Sequence, residues 1–278
     1  MGTLLIATIM TSGLGVVLGI IIAYFAKIFA VHVDPRIEQV ASMLPGVNCG
    51  GCGYAGCADF AKSLVGGQAS EISLCIAASS ESRKAIAMYL GIESADRPRK
   101  VAVVLCGGDR KSARPAAYYN GVSDCKSAIF VAGGAKGCQF GCLGYGSCAK
   151  ACPFGAIEIT ENNLAAVHPE LCTGCAKCVK TCPRELVKLV PAEVKVHVFC
   201  SSPMKGAVKK KYCDVPCIAC RKCVKASSDG QMIVHGFLVQ TNYDNPPALE
   251  VIEKAACPTG CLKTNPPLRN ADSGKEAA

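Results

Sequence analysis

The chain has no tryptophan, and aromatic residues make up only 6% of it. Its core must therefore be built from small aliphatic side chains. No aromatic platform is available for stacking bases, and no nucleic-acid-binding module is recognisable, so the net charge of +9 does not point to DNA or RNA. That charge suggests an acidic partner, an electron-carrier protein fitting best, or an anionic membrane surface; a mildly basic soluble surface is the plainer reading. Histidine is scarce as well. The four, at positions 32, 168, 197 and 235, show no ligand spacing and read as surface or core residues. No Ser/His/Asp grouping or paired carboxylates suggest hydrolysis, and Gly107-Gly108-Asp109 is too short for a phosphate loop.

Charge is missing altogether from Leu4 to Ala26, LLIATIMTSGLGVVLGIIIAYFA. Such a run predicts one transmembrane helix. A cleaved signal peptide would need a basic start, which Met1 to Thr3 lacks. Lys27 and Arg36 follow the run, so the rest of the chain is expected on the cytoplasmic side of the cell (inner) membrane in a single-pass arrangement. Gly15 and Gly19 form a small-residue face, a weak signal for helix packing.

What the chain has in excess is cysteine, 21 residues in tight runs. Runs with two-residue gaps converge easily on one inorganic centre, whereas disulfide frameworks spread their cysteines to close larger loops. The spacing therefore predicts a reducing compartment and thiolates held on metal. Cys172-x2-Cys175-x2-Cys178-x3-Cys182-Pro183 matches a bacterial two-cluster ferredoxin run, in which the last cysteine ligates the other cluster. The partner run, Cys142-x5-Cys148-x3-Cys152-Pro153, has Tyr145 where a middle cysteine would stand, and Cys138 is the natural substitute. The crossing rule then expects one [4Fe–4S] cluster on Cys138, Cys142, Cys148 and Cys182, and another on Cys152, Cys172, Cys175 and Cys178. Zinc in two closed tetrahedra is the alternative, but the C-x3-C-P endings disfavour it.

Upstream, Cys49-x2-Cys52-x4-Cys57 with Cys75 forms a compact set for a third cluster, its glycines allowing amides close to the sulfurs. Downstream, Cys217, Cys220, Cys223 and Cys257, the last followed by Pro258, are expected to hold a fourth. Cys213-x3-Cys217-x2-Cys220 also spells a radical S-adenosylmethionine spacing, but Cys223 closes the site and too few residues remain for a barrel. Cys106, Cys125, Cys200, Cys213 and Cys261 are left over. Four of these could hold a fifth cluster, or some are ordinary buried thiols.

The organisation expected is α+β: an N-terminal transmembrane helix (1–30), a small four-cysteine iron–sulfur domain (31–92), a linker (93–100), then a duplicated ferredoxin-like domain of the bacterial 2[4Fe–4S] type (101–193 and a degenerate repeat, 194–278). Internal repetition supports the duplication. Cys106 aligns with Cys200, Cys138 with Cys213, Cys142 with Cys217 and Cys148 with Cys223, while Tyr145 falls opposite Cys220 and Cys152 opposite Ser227. Lys209-Lys210-Lys211 reads as a solvated charge run or a docking patch for an acidic protein.

The order of anchor, N-C-G-G-C-G-Y-A-G-C with Cys75, V-x-C-G-G, C-x3-G-C-L-G-Y-G-S-C-x3-C-P and a regular ferredoxin run resembles the B subunit of the Rnf complex, the ion-translocating ferredoxin:NAD+ oxidoreductase. The resemblance implies an electron-transfer subunit, part of a multisubunit translocase, that exchanges electrons with reduced ferredoxin. Its partners would be membrane and flavin-bearing Rnf subunits. Two departures stand out: Ile76-Ala77-Ala78 follows Cys75 where the family has Pro-Gly-Gly, and Ser227 replaces a crossing cysteine of a second ferredoxin unit.

Overall fold

The computed structural model describes residues 2–29, 34–92 and 98–265, apart from the side chains at 3–5, 7, 8 and 11. The chain opens with a helix, α1 (Gly2–Ile28), free of proline and carrying Lys27 in its last turn. Its apolar side chains face outward, Ile20 being 65% exposed. Among the described residues no helix is long and apolar enough to cross a membrane. The expected transmembrane span is thus not met by the described residues.

Three helices form the next unit. Asp34 accepts the Arg36 N–H at 2.9 Å and Pro35 occupies the first helical position, so α2 (Pro35–Met43) begins there. After the first cysteine loop come α3 (Cys57–Val65) and α4 (Ser80–Leu90), the latter capped by Ser79 and ended by left-handed Gly91. Val40, Phe60, Ile72 and Ile86 close a core of their own.

The remainder repeats one plan twice. In the first copy, β1 (Lys100–Val104) leads through α5 (Cys125–Phe130) and α6 (Ser147–Lys150) to a hairpin of β2 (Ile157–Ile159) and β3 (Ala165–Val167). Then α7 (Lys177–Thr181) returns the chain to β4 (Val187–Pro191), which pairs antiparallel with β1, Val101 opposite Val190. The second copy runs β5 (His197–Val198), α8 (Gly206–Tyr212), α9 (Lys222–Ala226), hairpin β6 (Met232–His235) and β7 (Leu238–Thr241), α10 (Glu250–Ala255) and β8 (Leu262–Lys263), with β5 against β8. Equivalent bonds recur: Leu105 N–H donates to Leu186 O and Phe199 N–H to Cys261 O, both at 2.8 Å. The content is mixed α and β, as the sequence led one to expect.

Backbone bonds join the copies. Gly107 N–H donates to Phe199 O and Asp214 N–H to Ser112 O at 2.8 Å, and Arg114 N–H to Tyr212 O at 2.9 Å.

Two expectations change. Of the linker, 93–97 lies outside the described residues, but Arg99 is fixed, donating to the carbonyls of Pro169 (2.5 Å), Glu170 (2.9 Å) and Cys172 (3.2 Å), and Lys100 already belongs to β1. The lysine run is also split. Helical periodicity turns Lys209 inward, where Nζ donates to Cys217 O at 2.8 Å and Phe237 O at 2.7 Å, while Lys210 and Lys211 stay exposed. The end of the second repeat, 266–278, lies outside the described residues.

Candidate functional site: the cysteine cages

Every described cysteine carries a free thiol. Cys49, Cys52, Cys57 and Cys75 line one cavity beneath Phe60. Asn48 shapes its loop by accepting the Cys57 N–H at 2.7 Å. Burial pushes the Cys75 thiol up, opposed by backbone bonds from Ala78 and Ala77. The Ile76-Ala77-Ala78 segment therefore still presents amides to the sulfur although it lacks the family's Pro-Gly-Gly.

Cys152, Cys172, Cys175 and Cys178 line a second cavity between β1, the β2 strand start and the loop before α7. Ala102 N–H donates to Cys172 Sγ at 3.3 Å and Ala156 N–H to Cys152 Sγ at 3.4 Å. Such N–H···S bonds stabilise thiolate charge and orient the ligand. Burial drives the Cys178 thiol up to about 12.

The third cavity differs from expectation. Cys142, Cys148 and Cys182 line it together with Cys125, not Cys138. Asp124 caps α5 by accepting the Ser127 N–H at 2.9 Å, which places Cys125 in the first helical turn. Ser147 then ties that turn to the Cys148 loop: its Oγ accepts the Cys125 N–H and donates to Asp124 Oδ1, both at 2.7 Å. The Ser127 backbone bond, with Ser147 next, holds the Asp124 carboxyl at about 2. In the sequence, Asp124-x-x-Ser127 was the available sign, a helix cap directly before Cys125.

Cys138 lines a fourth cavity with Cys106, Cys200 and Cys213. The fifth group lies in the second repeat. Cys261 hydrogen-bonds Cys217 and Cys257, and these bonds lower their thiols to about 6 and about 4, while the Cys261 thiol is held up by the same pair. Burial raises Cys223 to about 11, with Cys217, Cys220 and Cys257 as its sulfur neighbours. Cys261 sits where the first repeat has Leu186, which is why spacing did not link it to this group.

The donor sets fit iron–sulfur chemistry: soft thiolates, four in each of the four cavities and five in the last group, with amides aimed at several sulfurs. Among the described residues no three His, Cys, Asp or Glu side chains are placed to hold a single metal ion.

A model of a 4Fe-4S dicluster domain matches residues 137–186, and a model of an Fe-S cluster family matches 44–77. The B subunit of the Na(+)-translocating ferredoxin:NAD(+) oxidoreductase complex of Acetobacterium woodii is 40% identical over 249 residues, 89% of this chain and 74% of that protein. The chain belongs to this family of B subunits. The B subunit of an ion-translocating oxidoreductase complex from Methanosarcina acetivorans is 37% identical over 84% of this chain and 88% of its own length. The B subunit of the proton-translocating ferredoxin:NAD(+) oxidoreductase complex of Clostridium ljungdahlii is 34% identical, over 95% and 93% respectively.

In this family member the cages touch one another in sequence. Cys175 Cα lies 3.6 Å from the Cβ position of Gly51, joining the first cage to the second. Cys148 and Cys178 are close enough for their charges to interact, joining second to third. Cys142 N–H donates to Cys106 Sγ at 3.3 Å, joining third to fourth. A backbone bond from Cys217 to the Cys200 sulfur joins fourth to fifth. Half-buried cations stand between them: Lys136 Nζ donates to Gly108 O and Cys142 O, and Arg184 to the carbonyls of Cys138, Gly141 and Gly133.

Proposed function

We propose that this chain is the electron-relay subunit of a membrane-bound, ion-translocating ferredoxin:NAD+ oxidoreductase, passing electrons through iron–sulfur clusters toward flavin-bearing partner subunits. The observation that carries the reading is the unbroken contact of the cages from Cys49 to Cys257. Bound clusters would supply one-electron redox chemistry. Cys49, Cys52, Cys57 and Cys75 would hold the first; Cys152, Cys172, Cys175 and Cys178 the second; Cys125, Cys142, Cys148 and Cys182 the third. Cys217, Cys220, Cys223 and Cys257 would hold another. The chain's own part is to present thiolates, to donate N–H groups to their sulfurs, and to set Lys136, Lys209 and Arg184 where negative charge accumulates. No catalytic side chain is needed.

Membrane attachment through α1 belongs to this reading. The backbone helix of 27 residues would rise about 40 Å in full. Among the described residues its outward apolar side chains have no partner in the hydrophobic cores, and Lys27 closes its C-terminal end. The cage domains would then lie on the cytoplasmic face, where reduced ferredoxin or a similar acidic carrier docks on the basic surface.

Anaerobic purification of the full chain tests both parts. Iron and acid-labile sulfide in equal amounts, with an EPR signal on reduction, are expected, and zinc without sulfide would refute the relay. Removal of residues 1–29 should move the protein from the membrane to the soluble fraction. Co-purification with a hydrogenase or formate dehydrogenase in place of flavin-bearing partners would overturn the assignment to this complex.

A further inference from the structure

Cys138 and the unassigned Cys106, Cys200 and Cys213 come from four separate segments, yet they line one cavity that encloses, with its open mouth, about 500 Å³. By the internal repeat, Cys106 corresponds to Cys200 and Cys138 to Cys213. Each copy thus contributes the same two positions, and the cavity sits where the copies meet. Duplication produces such a site when equivalent residues face each other across an approximate two-fold relation.

Cys213 is the common neighbour of the other three thiols. The charges of Cys106, Cys200 and Cys138 all act on Cys213, and that of Cys106 acts on Cys138. The junction holds them by backbone. Ala113 and Cys213 form an antiparallel bridge, and Gly107 N–H reaches Phe199 O at 2.8 Å. At Gly108 a Cβ would stand 3.1 Å from Cys213 Sγ and 3.3 Å from Ala113 Cβ, so glycine lets the strand end come this close without pushing either atom aside. Donors already point at the sulfurs: Cys142 N–H at Cys106 Sγ, and the Cys217 amide at Cys200.

Two lysines complete the wall, Lys136 and the 3% exposed Lys209. Each donates to main-chain carbonyls, and among the described residues neither pairs with a carboxylate. Burying the Lys209 ammonium and half-burying that of Lys136 without an anion is costly. Four thiolates on an oxidised four-iron core carry a net charge of about −2, which offsets both.

We infer that Cys106, Cys138, Cys200 and Cys213 bind a [4Fe–4S] cluster at the junction of the two repeats, and that this cluster connects the ferredoxin pair to the cage of the second repeat. The inference rests on reading the cages as cluster sites, and it adds a site shared by both copies.

The full chain is reconstituted anaerobically to saturation with iron and sulfide, alongside Cys200→Ala, Cys213→Ala and, as a control outside every cage, the exposed Tyr118→Ala. Five loaded cages give about 20 iron and 20 sulfide per chain. Each of the two cysteine variants should lose about four of each, while Tyr118→Ala keeps the full number. Unchanged iron in both Cys200→Ala and Cys213→Ala overturns the proposal. Loss of one zinc, or of two irons with two sulfides, overturns the identity of the group. Should these variants fail to fold, the wild-type count decides: about 16 irons at saturation refutes the fifth site. Absence of iron and sulfide from every form would instead refute the relay reading as a whole.

Discussion

The backbone N–H of Cys142 donates to the sulfur of Cys106 at 3.3 Å, so a residue lining one cysteine cavity hydrogen-bonds a thiol lining the next. The two cavities share this wall, and Lys136 spans the same gap by bonding Gly108 O and Cys142 O. A fixed cation between two anionic centres favours their reduced, more negative forms.

Lys136→Met should therefore shift the potentials of both adjoining clusters to more negative values. At ~8 Å and an effective dielectric of ~20 the lost interaction is about 2 kcal/mol, or roughly 90 mV for one electron. Redox titration followed by EPR would read it. Two unmoved potentials would mean that the lysine is only a structural tie.

Ser147 positions Cys125 without touching the cluster space by sulfur. Ser147→Ala removes the acceptor for Cys125 N–H and the donor to Asp124. The expected cost is about 1–3 kcal/mol, felt as faster iron release from one site on challenge with a chelator. Ser147→Thr should restore most of the lifetime. Equal lifetimes for wild type and Ser147→Ala would contradict this role.

Gly144 adopts φ +79°, and a Cβ there would run into the backbone carbonyl of Asn163. Gly155 has φ +61° with open space around it. Gly144→Ala should cost more than ~2 kcal/mol, strain and clash together, and Gly155→Ala only ~1 kcal/mol. Thermal unfolding of the two variants under argon makes the comparison, and similar losses would argue against the clash.

His197 is fully buried, with Nδ1 3.4 Å from the Tyr243 hydroxyl and Nε2 without a partner. Burial lowers its pKa from 6.5 to about 4. The folded state therefore holds the neutral ring where the unfolded chain takes up a proton. Its contribution is fully present above pH ~6.5 and is lost as pH falls toward 4, by roughly 1.4 kcal/mol at pH 5.5. His197→Phe should flatten this part of the pH dependence of the melting temperature between pH 7.5 and 5.5. An unchanged slope would show that other groups set it.

Local spacing determined much of this protein. The C-x2-C-x2-C-x3-C-P run defined Cys172, Cys175 and Cys178 as one group with Cys152, because a short loop can wrap only a nearby point. The C-x2-C-x4-C set with Cys75 was legible for the same reason, and the duplication was legible from its recurring cysteines. Tertiary structure decided the exchange of Cys138 for Cys125. Cys138 is four positions from Cys142 and spacing favours it, but the Asp124 cap and Ser147 bring the more distant thiol into the cage. It also decided that Lys209 is buried while Lys210 and Lys211 are exposed, since charge alone does not say which face of a helix meets a wall of carbonyls. Above all, it brought Cys106, Cys138, Cys200 and Cys213 together. Their closeness arises from the packing of one repeat on its copy, and separation along the chain carries no record of that contact.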